Sequence, residues 1–337
     1  MRIIPAIVLL FLVPLLGFSE DLVIVNGVVI DGTGKMRSSA NIRIRDGKIS
    51  DIGVFKPAAN EMTLDVRGMI VAPGLVDFQT LSPSAIQKDP GAGELVSRGV
   101  TTAVLGFDGS GPYSVEDFML PFDEKPAAVN IALLVGHATI RRQIMGDNYK
   151  RAANADELAR MTELVSDAMK QGAFGFATDL QQEPASFSTP EELLALAKVV
   201  AKFGGTVMLR ARDSKEPIAI ARDAKVPVVD ISADSYSFSK LIQDKALGLE
   251  RAIQRMSSTP ASRFGIRERG VLKKGAPADL VVFNPNSLVS GMKYVLVNGT
   301  ITLKDGEPTA ARAGQALRKD SFAPRKNPGH PSHNARQ

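Results

Sequence analysis

The 337-residue chain has no cysteine, no tryptophan and only three histidines. Without cysteine there can be no disulfide, no thiolate nucleophile and no Cys-based zinc site. Two of the histidines, His330 and His333, fall in the last eight residues, which leaves His137 as the one histidine of the body. Chemistry that needs a histidine cluster therefore has nothing to draw on. Excess charge of one sign is also scarce: 41 Lys and Arg against 36 Asp and Glu give a net +5. Between Arg318 and Gln337 five basic residues stand against one acid, so +4 of that +5 lies in a Pro-rich tail. This stretch has too little apolar content to bury itself, and from residue 319 to 337, which alone carries +3, it reads as a solvated extension with no nucleic-acid partner implied.

At 23% charged and 44% hydrophobic residues, the composition is that of a globular protein long enough for one large domain or two smaller ones. The one long apolar run is Ile3 to Phe18, preceded by Arg2 and ending in Gly17-Phe18-Ser19. Small residues at the minus-three and minus-one positions give the expectation of a signal peptide over 1–19, and of a secreted or periplasmic protein that meets the membrane only through this segment if it is uncleaved. The run is shorter than the roughly 20 apolar residues of a membrane span.

What is abundant is short alternation. Leu22 to Ile30, Ile42 to Arg45, Ile49 to Val54 and Met62 to Val66 are apolar runs punctuated by turns such as Asp46-Gly47. The texture returns in Ala278 to Phe283 and in Tyr294 to Leu303, where Asn298-Gly299 makes the turn. These are hairpin strands, and they predict a small β-sandwich built from both ends, residues 20–68 and 266–318. Two separate small sheets are the alternative.

Between them, residues 69–265 alternate buried-type strands with amphipathic helices, the βα pattern of a parallel sheet. Strands are expected at Met69 to Phe78, Thr101 to Phe107, Ile131 to Gly136, Ala173 to Thr178, Thr206 to Leu209 and Val226 to Ile231. Asn154 with Glu157 marks a capping box, and Thr189-Pro190-Glu191-Glu192 starts a second helix that Gly204-Gly205 ends. A last helix runs from Leu249 to Met256. Six strands make a partial TIM-type β/α barrel, two short of closure. Its open edges would need the helix near Leu241, a second copy of the chain or a full-length paralogue to cover them.

Several of these segments resemble a known family. Val71-Ala72-Pro73-Gly74-Leu75-Val76-Asp77 is similar to the first barrel strand of the amidohydrolase superfamily. More narrowly, Leu134 to Gly146, Gly172 to Thr178 and Thr259 to Gly265 resemble N-acyl-D-amino-acid deacylases (D-aminoacylases), and Gly275 to Phe283 and Ala311 to Arg318 fit that family's return to its sandwich. The resemblance implies a metal-dependent hydrolase of non-peptide C–N bonds, in which zinc activates a water and polarises the amide carbonyl.

The resemblance fails where that chemistry should sit. The family's paired first-strand histidines fall on Gln79 and Leu81, its metal-binding cysteine on Asp108, and its two later histidines on Arg210 and Ala233. Glutamine is a poor zinc ligand, leucine and alanine are none, and arginine repels a cation. Only a short stretch separates Asp234 from Leu249, where the family carries its last strands and a catalytic aspartate. The expectation is a catalytically impaired or inactive relative with no cofactor. The alternative is an active hydrolase using a remodelled carboxylate site. Asp77, Asp179 and Asp213, with Asp108, are expected near the barrel mouth, either solvated and ion-paired or as a residual Mg or Ca site. Arg210 is expected to pair with Asp77 or Asp108 and stand in for the dication's charge. His137 reads as structural, and Ser232, Ser235 and Ser237 have no base to activate them.

Overall fold

The structure, a computed structural model, describes residues 21–79, 82–231, 247–285 and 291–319. The expected signal segment, the tail beyond Lys319, the helix near Leu241, the three serines, and the positions Leu81 and Ala233 lie outside the described residues.

Strands β1 (Leu22–Val29), β2 (Ser38–Arg45), β3 (Lys48–Gly53), β4 (Met62–Asp65) and β5 (Ile70–Pro73) open the chain. Six parallel strands follow: β6 (Leu75–Asp77), β7 (Val100–Leu105), β8 (Asn130–Gly136), β9 (Gly175–Asp179), β10 (Thr206–Arg210) and β11 (Val228–Asp230). Strands β12 (Leu280–Phe283), β13 (Tyr294–Val297), β14 (Thr300–Lys304) and β15 (Glu307–Pro308) then return to the first sheet. Both ends of the chain thus share one nine-stranded sheet, joined where β5 pairs parallel with β1 and antiparallel with β12. Two separate sheets are ruled out.

The expected sandwich takes the form of this single sheet rolled on itself. Ile49 donates its N–H to Ala276 O and accepts from Gly275 N, both at 2.8 Å, so β3 meets the segment that leads into β12. Inside the roll lie Ile24, Ile42, Ile44, Ile49, Leu280 and Leu296, the inward members of each alternating run. Asp46-Gly47 and Asn298-Gly299 both turn with positive φ at their two central residues, the geometry of type I′ hairpins, whose twist matches the strands they join.

The parallel sheet runs in order β6 to β11, each strand beside its chain neighbour, as a partial TIM-type barrel. The run Met69 to Phe78 is not one strand but two: β5 belongs to the rolled sheet and β6 to the half-barrel, with the break at Gly74. Helices α1 (Pro83–Lys88), α2 (Gly93–Ser97), α3 (Val115–Glu124), α4 (His137–Met145), α5 (Ala155–Lys170), α6 (Pro190–Lys202) and α7 (Glu216–Ala224) connect the strands. Helix α5 starts at the full Asn154–Glu157 capping box, and α6 starts at Thr189 with Pro190 in its first turn.

After α8 (Leu249–Met256), a further helix α9 (Ser258–Phe264) spans Thr259-Pro260; the proline lies in its first turn, where a missing N–H does no harm. Helices α8 and α9 pack against β6. Phe264 and Ile266 join Val76, Val104, Leu134, Ala177 and Met208 in the cluster on the sheet's inner face, so this chain itself covers the β6 side of the half-barrel. The segment Gln315 to Arg318, expected to belong to the sandwich, instead runs along the underside of the half-barrel, and Lys319, expected in the solvated tail, continues it. There Ile131 N donates to Gln315 O and Lys319 N to Gly172 O.

Candidate functional site

In a β/α barrel the C-terminal strand ends carry the chemistry. At the ends of the neighbouring strands β9 and β10, Asp179 and Arg210 stand in register. Arg210 Nη1 donates to Asp179 Oδ2 at 3.0 Å, and Gln181 N donates to the other carboxylate oxygen at 3.0 Å. Asp179 is buried, while the Arg210 side chain is 38% exposed. Arg210 does pair with a strand-end carboxylate, but with Asp179 rather than the expected Asp77 or Asp108. Register is the reason, since Asp179 is its direct neighbour across the sheet.

The other expected mouth residues are held apart from this pair. Asp77 lies opposite Ala103, two residues before the end of β7, about 7 Å below that strand's end at ~3.3 Å per residue. It accepts from Gln79 N at 2.9 Å and stands 3.8 Å from Arg98. Asp108 closes its own turn by accepting from Ser110 N and Ser110 Oγ. Asp213 accepts from Lys215 N and Glu216 N and so satisfies orphan donors where α7 begins. The next arginine, Arg212, ties the mouth to its surroundings through Glu216 at 2.8 Å and Ser188 O at 2.8 Å. Among the described residues no group of three or more His, Asp or Glu is placed to hold a metal ion.

Just beneath the mouth lies a buried charge cluster. His137, the first residue of α4, directs Nε2 to Glu192 Oε1 at 2.7 Å and Nδ1 to Thr178 Oγ1 at 2.8 Å. A neutral ring satisfies both contacts when Nε2–H donates to the carboxylate and Nδ1 accepts from the hydroxyl. Arg141, one turn along α4, donates from Nη1 to both Glu192 oxygens at 2.7 and 2.5 Å, and from Nη2 to Tyr149 O and Arg151 O. All three side chains are buried. Burial pushes the His137 imidazole below its ordinary value, opposed by the Glu192 contact. Burial acts to raise the Glu192 carboxyl, but hydrogen bonds from His137 and Arg141 hold it below the usual carboxylate range. Glu192 and Arg141 escaped sequence reading: the glutamate looked like a helix-start residue, and the available signal was the four-residue spacing of His137 and Arg141 on one helical face.

Comparison with known proteins gives a consistent relationship. A model described as the Amidohydrolase family matches residues 235–310. The D-aminoacylase of Alcaligenes xylosoxydans xylosoxydans is 32% identical over 240 residues, covering 62% of this chain and 49% of the relative. The N-acyl-D-aspartate deacylase of the same organism is 28% identical over 274 residues, covering 72% and 54%. This chain therefore spans about half the length of the curated relatives it matches. Among solved structures, a D-aminoacylase superposes with a TM-score of 0.80 at 21% identity, over 89% of this chain and 100% of that one. The N-acyl-D-glutamate deacylase of Bordetella bronchiseptica gives 0.78 at 22%, over 89% and 100%.

These neighbours correct the expectation of no cofactor. One of the D-aminoacylase structures is described with a binuclear metal centre, another is a mutant in complex with CuCl2, and the Bordetella enzyme holds zinc with a phosphonate inhibitor. A catalytic zinc takes three protein ligands at roughly 2.0–2.3 Å, and the described mouth residues do not supply such a set: Asp108 and Asp213 are turned into local loops, and Arg210 places a fixed cation at a strand end. In sequence the chain is similar to the D-aminoacylase and N-acyl-D-aspartate deacylase of Alcaligenes xylosoxydans xylosoxydans, with an Amidohydrolase family match over residues 235–310, and in fold it resembles the solved D-aminoacylase and N-acyl-D-glutamate deacylase.

Proposed function

We propose that this chain is a deacylase-like scaffold whose barrel mouth is catalytically impaired toward N-acyl amino acids. The observation that carries this reading is the Arg210–Asp179 pair at 3.0 Å. A general base must reach the water it activates, and a metal ligand must present free lone pairs. Here the buried strand-end carboxylate of β9 is turned to a guanidinium on one oxygen and to the Gln181 amide on the other, and the fixed positive charge beside it both opposes a cation and weakens it as a base. His137, the remaining imidazole of the body, is sealed under the mouth by Glu192 and Thr178 and cannot meet a substrate.

The test uses the purified full chain with N-acetyl-D-leucine, N-acetyl-D-aspartate and N-acetyl-D-glutamate, each with and without added zinc, with the Alcaligenes D-aminoacylase assayed in parallel. Acetate release no higher than in the protein-free reaction is expected in every arm. Zinc-dependent turnover approaching that of the relative would overturn the reading in favour of an active hydrolase with a remodelled carboxylate site.

A further inference from the structure

Away from the barrel mouth, the rim of the rolled sheet holds a cleft of about 360 Å³. The ends of β1 and β3 line it with Asp31 and Asp51, and the segment ahead of β12 lines it with Lys273 and Lys274. Main-chain bonds set this arrangement independently of the charges: Leu272 N donates to Asp31 O at 2.9 Å and Gly275 N to Ile49 O at 2.8 Å. Ile52 and Met36 add apolar lining, and Met36 is 85% exposed, an apolar side chain standing in solvent at the edge of the cleft.

Two carboxylates and two ammonium groups line one cleft, yet among the described residues neither lysine comes within 4.0 Å of a carboxylate oxygen. Asp31 uses Oδ1 on the Thr33 amide and hydroxyl, which leaves Oδ2 as an acceptor. Asp51 stands 3.6 Å from Arg43 with its side chain 46% exposed. The two lysines and the two aspartates share a cleft without pairing with one another, Asp51 leaning on Arg43 instead, and such an arrangement suits a ligand that itself carries both signs. The volume is at the lower end of the range of small-molecule sites.

We propose that this cleft binds a free zwitterionic amino acid with an apolar side chain. The ligand ammonium meets Asp31 and Asp51, its carboxylate meets Lys273 and Lys274, and its side chain lies under Met36 against Ile52. An N-acyl amino acid lacks the ammonium, and an amino-acid amide lacks the carboxylate, so each leaves one pair of charges unmatched. The site is separate from the half-barrel and holds whether or not the barrel hydrolyses amides.

Titration calorimetry on the full chain with D- and L-leucine, N-acetyl-leucine and leucinamide tests this. Leucine of either or both hands is expected to bind, with both single-charge probes at least tenfold weaker. The double variant Lys273→Gln/Lys274→Gln and, separately, Asp51→Asn are expected to weaken leucine at least tenfold while leaving the thermal midpoint of the unliganded chain in place. No leucine binding at millimolar concentration, equal binding of leucine and N-acetyl-leucine, or full binding by the lysine double variant would each overturn the proposal. Loss of binding on Arg210→Gln would do the same by moving the ligand to the barrel mouth.

Discussion

Glu192 balances two buried partners, and its substitution is the sharpest test of the cluster under the mouth. Replacing it by glutamine keeps the volume but leaves Arg141, which is fully buried, with no carboxylate. Breaking a buried pair from one side costs about 3–5 kcal/mol, because the surviving charge stays desolvated. Urea unfolding of Glu192→Gln against the parent should show a loss of that order. The double variant Arg141→Met/Glu192→Leu should lose less than the single one, because no unpaired ion remains. The same residues set a pH dependence. His137 is depressed in the fold, so the unfolded chain takes up its proton first, and stability present above pH 6.5 is lost as pH falls below that value. Glu192 is also depressed, and its contribution is lost as pH falls through 4.5. Half-buried Glu157, held at about 2 first by its hydrogen bond from Arg151, adds a smaller loss between 4.5 and about 2. Denaturant midpoints measured from pH 8 to 3 should fall in two stages, and His137→Gln should remove the upper one. A flat profile between pH 7 and 5 in the parent would contradict the buried neutral ring.

Where the chain passes from one sheet to the other, a single residue decides whether the two elements can meet. A Cβ on Gly74 would stand 2.1 Å from Thr101 Oγ1 and 2.6 Å from Thr101 Cβ. The Gly74 amide is bonded to Asp279 O, and the next amide, that of Leu75, to Gly99 O, so the backbone is pinned from both sheets and cannot retreat. Gly74→Ala should therefore destabilise by about 1–3 kcal/mol or more, the range for overpacked interiors, seen as a lower thermal midpoint. The break itself is marked locally by the turn dipeptide Pro73-Gly74 inside the apolar run Met69 to Phe78, but nothing local says that the two halves join different sheets. Elements whose cause is local were legible: the Asn154–Glu157 box, the Thr189 cap and the Asn298-Gly299 turn all come from side-chain chemistry within a few residues. The site divides the same way. That Arg210 would need a carboxylate follows from its charge, but the choice of Asp179 depends on register between two strands some 30 residues apart, and Glu192 depends on a helix packing across the sheet end.

At the scale of the whole molecule, the rolled sheet and the half-barrel are held together by one buried polar network. Asp279, just ahead of β12, accepts from Arg269, from Asn130 Nδ2 at 3.0 Å and from Asn298 N at 2.7 Å. Asn130 opens β8 of the half-barrel and also donates to Thr101 O in β7 at 2.8 Å. Arg269 completes the set by donating to Asn298 Oδ1 at 3.0 Å and Gln315 Oε1 at 2.9 Å. Asp279, Arg269 and Asn130 are buried, Asn298 is half-buried and Gln315 is exposed at the edge, and a buried network of this kind is worth most when fully satisfied and costs most when one member is lost. Asp279→Asn leaves the Arg269 charge, 4% exposed, without its carboxylate, which should cost about 3–5 kcal/mol. Because the network spans both sheets, the loss cannot stay in one of them. Hydrogen exchange read by mass spectrometry should show peptides from β7–β8 and from β12–β13 losing protection together, by a similar factor, in Asp279→Asn. Protection lost in the β12–β13 peptides alone, with β7–β8 unchanged, would mean that the two sheets unfold as independent units and that this network does not couple them.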